Sequence, residues 1–151
     1  MALPLLHTLS RNVSRDAILA GKYSNIRLYG ISGNMNPNMP WTTPKAAVTT
    51  DPESDKSLFM QFSATCYYFG ESLSDELAKV NGGIPPPIGL IHTAWGGSTI
   101  EQWLDNGTLA TCANTSISAA NAEWHDSRVM PYVDMTIKGW VWYQVRTNLD
   151  R

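Results

Sequence analysis

The chain has 151 residues, with 11 Lys and Arg against 13 Asp and Glu. That length suits one domain with a real core. Its near-zero net charge and lack of a basic patch argue against nucleic acid as a partner. No apolar run approaches the roughly 20 residues of a membrane helix.

Residues 1–24 carry little pattern, apart from a short helix expected within 10–21 on Ala17, Ile18 and Ala20. Residues 25–31 alternate and read as a strand. The stretch 32–55 has four prolines and no sustained period, and is expected to be a long loop. Residues 57–80 read as one helix. Phe62, Cys66, Phe69, Leu73 and Leu77 recur at three- and four-residue spacing and should form its buried stripe. Asn81-Gly82-Gly83 ends it, and Pro85-Pro86-Pro87 leads into the next strand.

Residues 88–94 form a short apolar run, the sign of a strand buried on both faces. Gly96-Gly97 follows, then Ser98 and Glu101 at capping-box spacing, so a short helix is expected over 99–104. Residues 105–118 read as a polar loop, 119–130 as a helix bent or ended by Pro131, and 137–143 as a final strand. Alternating strand and helix implies a three-layer α/β/α sandwich with a parallel sheet. At the carboxyl ends of such strands ligands bind. The glycine pair lets backbone approach a substrate and can turn amides toward developing negative charge.

Six Trp and six Tyr suit a core, and also suit sugar binding. Cys66 and Cys112 allow one disulfide or two buried thiols. Sequons at Asn12, Asn106 and Asn114 point to the secretory pathway. The stretch 1–6 is too short for a signal peptide and has no preceding positive charge, so the true N-terminus is expected to lie elsewhere.

The segment Pro87-Ile88-Gly89-Leu90-Ile91-His92-Thr93-Ala94-Trp95-Gly96-Gly97-Ser98-Thr99-Ile100-Glu101-Gln102-Trp103 resembles the sialate O-acetylesterase family of SGNH (GDSL-type) hydrolases. So do residues 62–70, 109–112 and 134–144, in order and spacing. The resemblance implies a partial SGNH hydrolase domain over 25–144, flavodoxin-like in architecture, with a divergent tail over 145–151. It also implies that a strand carrying the catalytic serine lies between the two strands read at 25–31 and 88–94, so that its loss would leave unpaired edges.

Such an esterase needs a serine nucleophile, a histidine and an aspartate, and an oxyanion hole. By the resemblance, the serine's G-Q-S-N-M segment precedes this chain and the Asp…His pair follows it. Gly96, Gly97 and Gln144 match oxyanion and pocket positions, and Ser98, Glu101 and Trp103 support the turn. After Gln144 the family has Gly-Glu, whereas this chain has Val145-Arg146. Gln-Val-Arg is what translation across an exon–intron junction often yields, so a truncated gene model is expected. Cys66 and Cys112 coincide with family cysteines, and a disulfide between them would close a loop of roughly 45 residues, worth about 3–4 kcal/mol.

No other residue in the chain is assigned as nucleophile. Ser32 has Asn34 where G-x-S-x-G requires glycine. His92 reads as a core or edge histidine, His125-Asp126 as a solvated pair, and His7 is in an unpatterned region. No histidine has metal-ligand spacing with another. No cofactor is expected. The implied function is removal of O-acetyl groups from sugars such as sialic acid by a secreted or lysosomal enzyme, with this chain alone inactive. The alternatives are a non-catalytic carbohydrate-binding or regulatory remnant and a polysaccharide acetyl esterase of the same fold.

Overall fold

The computed structural model describes residues 13–31, 38–49, 57–112 and 122–144. The chain divides into two compact units, Met1–Ala94 and Trp95–Arg151. The first is mixed α/β. A helix over 13–19 (α1) precedes strands β1 (Ile26–Gly30) and β2 (Met39–Thr42). Helices α2 (Pro44–Thr49), α3 (Leu58–Gln61) and α4 (Ala64–Val80) follow, then strand β3 (Ile88–His92). In β1 the alternation expected of a strand is met, with Ile26, Leu28 and Gly30 buried and Arg27 exposed.

The sheet order is β2-β1-β3. β1 and β3 are parallel and directly paired, from Ile26 opposite Ile88 to Gly30 opposite His92. Bonds from Ile88 N–H to Asn25 O (3.1 Å) and Ile31 N–H to His92 O (3.0 Å) extend the pairing past both ends. No strand separates them, which corrects the expectation of an open gap there. β2 is antiparallel to β1, so the sheet is mixed rather than all parallel.

The stretch read as a long loop holds β2 and α2. Pro40 and Pro44 misled because each sits where proline fits. Pro40 is in an edge strand, where a missing N–H need not break the ladder. Pro44 opens α2, where that N–H has no helical partner anyway, and Thr43 Oγ1 accepts from Ala46 N–H at 3.1 Å. Residues 32–37 and 50–55 of that stretch, including Ser32, lie outside the described residues.

The helix read over 57–80 is two helices. Ser57 caps α3 by accepting from Met60 N–H (3.3 Å), and Ser63 caps α4 by accepting from Cys66 N–H (3.3 Å). Phe62 and Ser63 are extended between them. A serine that bonds the backbone locally competes with continuous helix.

The buried face of α4 is also not the expected one. Tyr67, Gly70 and Ser74 are buried, whereas Phe69 is 46% exposed. Gly70 decides this. A Cβ there would lie 2.5 Å from Leu90 Cδ1, so any larger residue would force the Leu90 side chain to shift, and glycine lets the helix seat this closely on β3. Ser74 then exchanges hydrogen bonds with the Asn25 side chain, whose Nδ2 also donates to Pro86 O at 2.8 Å. That amide ties the helix to the entry points of β1 and β3. Phe62 packs in the core with Ile18, Leu28, Met39 and Tyr67.

The second unit contains no strand among its described residues. It has a 3-10 turn (Ile100–Trp103), helix α5 (Asn106–Thr111), a π-helical turn (His125–Val129) and a second 3-10 turn (Met130–Tyr132). Part of the loop read over 105–118 is therefore helix, because Asp105 caps α5 by accepting from Thr108 N–H at 2.9 Å. Pro131 falls in the first turn of a 3-10 segment, and residues 119–121 of the helix read there lie outside the described residues. Residues 137–143, expected as a strand, make no ladder, and Trp140, Val141, Trp142 and Tyr143 are all at least half exposed. No helix among the described residues is long and apolar enough to cross a membrane.

Gly70→Ala should destabilise the protein by about 1–2 kcal/mol, the overpacking cost less the helix-propensity gain. In urea unfolding, combining it with Leu90→Ala should cost less than the sum of the single changes. Glu71 gives a second test. Burial raises its carboxyl above the ordinary 4.5, with Asp75 adding and the Ser14 hydrogen bond and Lys22 opposing. The folded state therefore holds this proton more strongly than the unfolded chain. Stability from this group is full below the ordinary value and falls as pH rises through the folded pKa. Glu71→Gln should raise Tm at pH 7 and leave it little changed at pH 4.

Candidate functional site

The second unit opens on the glycine turn. Gly97 has φ +80°, a left-handed conformation that side chains disfavour. Gly96 is different: a Cβ there would meet nothing within 4 Å. Both are exposed, and among the described residues their N–H groups have no hydrogen-bond partner.

Ser98 organises what surrounds them. Its hydroxyl donates to Trp95 O at 2.8 Å and accepts from Trp103 Nε1–H at 2.8 Å. It closes the turn rather than starting a helix. The cap falls one residue later than its spacing with Glu101 implied. Thr99 N–H donates to Gln102 Oε1 at 2.8 Å, and the segment that follows is a 3-10 turn. Glu101 contributes through its carbonyl, which accepts from Ala122 N–H at 3.1 Å.

Gln144 reaches the same turn from 46 residues away, its Nε2–H donating to Ser98 O at 2.9 Å. Trp142 meets Trp103 edge to face, with ring centroids 5.4 Å apart. The structure thus gathers Gly96, Gly97, Ser98, Trp103 and Gln144 around one turn. An amide nitrogen carries two hydrogens, so Gln144 keeps a second donor beyond the Ser98 bond.

Trp124 and Arg128 were missed by sequence reasoning. The Trp95 and Trp124 rings stack, centroids 4.4 Å apart and planes 22° apart. The Arg128 guanidinium carbon lies 4.7 Å from the Trp95 centroid and 5.1 Å from that of Trp124. Burial lowers the Arg128 pKa, with Tyr132 and Glu123 acting the other way, and a guanidinium stays charged near neutral pH. The available signal was the four-residue spacing of Trp124 and Arg128, one helical turn.

The remaining candidates do not converge. His92 Nδ1 accepts from Ser63 N–H at 3.2 Å, and its ring meets Phe62 edge to face, so it braces the break between α3 and α4. His125 Nδ1 and Asp126 Oδ1 are in contact at 2.7 Å, although Asp126 is largely solvated. Neither Cys66 nor Cys112 is in a disulfide, so the implied bond is absent. The Cys66 thiol is held in the first turn of α4, where burial pushes its pKa up to about 11, whereas Cys112 is exposed. A thiol so far from ionising exchanges poorly. Asn106 is exposed at the start of α5. Asn12, Asn114 and His7 lie outside the described residues, as does the tail after Gln144. Among the described residues no three His, Cys, Asp or Glu side chains cluster as a metal site would require.

No protein-family model matches the chain. Curated relatives do. It is 27% identical over 159 residues to the sialate O-acetylesterases of Homo sapiens and of Pongo abelii, covering 92% of this chain and 28% of each relative. With the Mus musculus protein of the same name the identity is 24% over 184 residues, 92% of this chain and 32% of the relative. These matches support the sialate O-acetylesterase family for this chain, which spans under a third of the length of these relatives. A crystal structure of a carbohydrate acetylesterase from Xanthomonas citri also matches, at 22% identity and a TM-score of 0.34, over 67% of this chain and 21% of that one. The positions resembling the W-G-G and W-Y-Q motifs of the sialate O-acetylesterase family are Trp95-Gly96-Gly97 and Trp142-Tyr143-Gln144. In space these are the two segments that the Gln144–Ser98 bond joins.

Ser98→Ala should cost about 1–3 kcal/mol, because the Trp103 N–H and the Trp95 carbonyl both lose their partner. Gly97→Ala should cost about 1–2 kcal/mol for its left-handed φ, while Gly96→Ala should stay within about 0.5 kcal/mol. Urea unfolding followed by tryptophan fluorescence measures all three.

Proposed function

We propose that this chain carries the oxyanion-stabilising part of a serine ester hydrolase that removes O-acetyl groups from sugars, O-acetylated sialic acid among them. The observation that supports it most is the tie between Gln144 and the Gly96–Gly97 turn, where two backbone amides and one side-chain N–H have no hydrogen-bond partner among the described residues. The names of the curated relatives give the acetyl-sugar chemistry.

The reaction assigned to the site is acyl transfer. A serine hydroxyl attacks the acetyl carbonyl carbon and gives its proton to a histidine. The carbonyl oxygen becomes an oxyanion and accepts from Gly97 N–H and the Gln144 amide. The sugar oxygen leaves with the proton from the histidine. Water then attacks the acetyl-serine and releases acetate, the serine recovering its proton. Each oxyanion donor contributes about 2.7–4 kcal/mol of this stabilisation. We assign the serine and the Asp–His pair to segments of a longer polypeptide, which would also complete a three-layer SGNH sandwich around the small sheet seen here. The sequons, with Asn106 exposed, support a secreted or lysosomal location for that polypeptide.

Sequencing the transcript across codons 10 and 144 should reveal a G-x-S segment upstream and Gly-Glu after Gln144. The longer product should release acetate from O-acetylated sialic acid, and the 151-residue chain should not turn over p-nitrophenyl acetate. Esterase activity of the short chain that one serine substitution abolishes would overturn the assignment. So would a longer product with no acetyl esterase activity.

A further inference from the structure

We propose that the first unit carries a ligand site of its own, between the α1–β1 turn and the start of α2, for a small carboxylic acid with a flat apolar body. The cavity there has a volume of about 190 Å³ and is lined by residues 18, 21–24 and 43–45. Neither the glycine turn nor Gln144 lines it, and the proposal does not depend on the esterase reading.

Size and lining set the ligand class. A dry cavity of about 150 Å³ takes one benzene ring, so this one takes a ring with a small substituent. Sites for drug-sized molecules begin at about 300 Å³. Ile18 and Pro44 are buried and Tyr23 is partly buried, an apolar lining that suits an organic body and gives an inorganic anion nothing to pack on. The charge comes from Lys22 and Lys45. Among the described residues neither ammonium is in a hydrogen bond or an ion pair. Lys22 feels Glu71, whose carboxylate already accepts from the Ser14 hydroxyl at 3.3 Å. Two like charges lining one cavity repel, and a bound anion relieves that. Ser24 and Thr43 add hydroxyl protons that have no acceptor among the described residues. Arg27 Nη1 donates to the Ser24 carbonyl at 2.7 Å, so that acceptor is taken and the cavity is left rich in donors. The backbone beside it is strained. Gly21 has φ +93°, and Tyr23, which is not glycine, has φ +58°. Such conformations persist where the surroundings enforce them, and they gather at ligand clamps. Here Gly21 N–H donates to Ile18 O at 2.9 Å, Ile26 N–H to Tyr23 O at 3.1 Å, and the Tyr23 hydroxyl to Asp75 Oδ2 at 3.2 Å. The cavity wall is therefore fixed before a ligand arrives.

The test titrates the nitrogen-15-labelled 151-residue chain with benzoate, benzamide and inorganic phosphate, and follows the backbone amides by nuclear magnetic resonance. Benzoate should shift the amides of residues 18–24 and 43–45 saturably, with a Kd on the order of a millimolar. Benzamide, which keeps the ring and loses the charge, should bind about tenfold more weakly, as should phosphate, which keeps charge and loses the ring. Lys22→Gln and Lys45→Gln, both at exposed positions, should each weaken benzoate about two- to fivefold, and the pair together about tenfold. No saturable shift, shifts confined to other residues, or equal binding of benzoate with either control would overturn the proposal. So would unchanged benzoate affinity in the double variant. Should that variant fail to fold, unchanged affinity in both single variants overturns it instead.

Discussion

Ser98 commits both its hydroxyl and its carbonyl to the second unit's own framework. Its hydroxyl joins Trp95 to Trp103, and its carbonyl receives the Gln144 amide. Those bonds leave the glycine turn little freedom to collapse, and Gly97 at φ +80° supplies the bend. Aromatic contacts extend the arrangement outward, through Trp103 to Trp142 on one side and through Trp95 to Trp124 and Arg128 on the other. An oxyanion hole works when its donors are fixed before charge develops. In the function proposed above, Ser98 would do that fixing through its bonds to Trp95, Trp103 and Gln144.

The first unit depends on a different constraint, close approach of a helix to a strand. Gly70 removes the side chain that would collide with Leu90, and Asn25 then pins α4 to the start of both parallel strands. Direct pairing of β1 with β3 satisfies backbone groups that would otherwise face an open gap. The same seating puts Glu71 where burial raises its pKa, while Ser14 supplies one hydrogen bond to it. One glycine thus sets both the packing and the titration of a carboxylate one residue further along.

Much of this was legible in the chain. The strand over 26–30, the parallel strand after the prolines and the glycine turn follow from alternation, apolar runs and turn chemistry. What failed has identifiable causes. Four prolines masked β2 and α2 because proline also fits edge strands and helix starts. Counting large apolar residues chose the Phe69 face of α4, because a stripe made of Tyr67, Gly70 and Ser74 carries little hydrophobic signal. Ser98 offered a capping-box spacing, yet Trp95 and Trp103 took its hydroxyl. Pairing of Ser98 with Gln144 spans 46 residues, so no local pattern could show it, and only the motif resemblance placed both at one site. Arg128 had no such help, since its packing depends on two tryptophans 29 residues apart stacking in space.

The most direct measurement is acetate release from O-acetylated sialic acid by the longer product, with Gly97→Ala compared against Gly96→Ala. If the left-handed turn holds the oxyanion amides, Gly97→Ala lowers kcat on the order of a hundredfold with KM within about twofold, and Gly96→Ala changes neither by more than about threefold. Equal kcat for the two variants and the parent would contradict the account, because the turn would then stabilise nothing in the transition state.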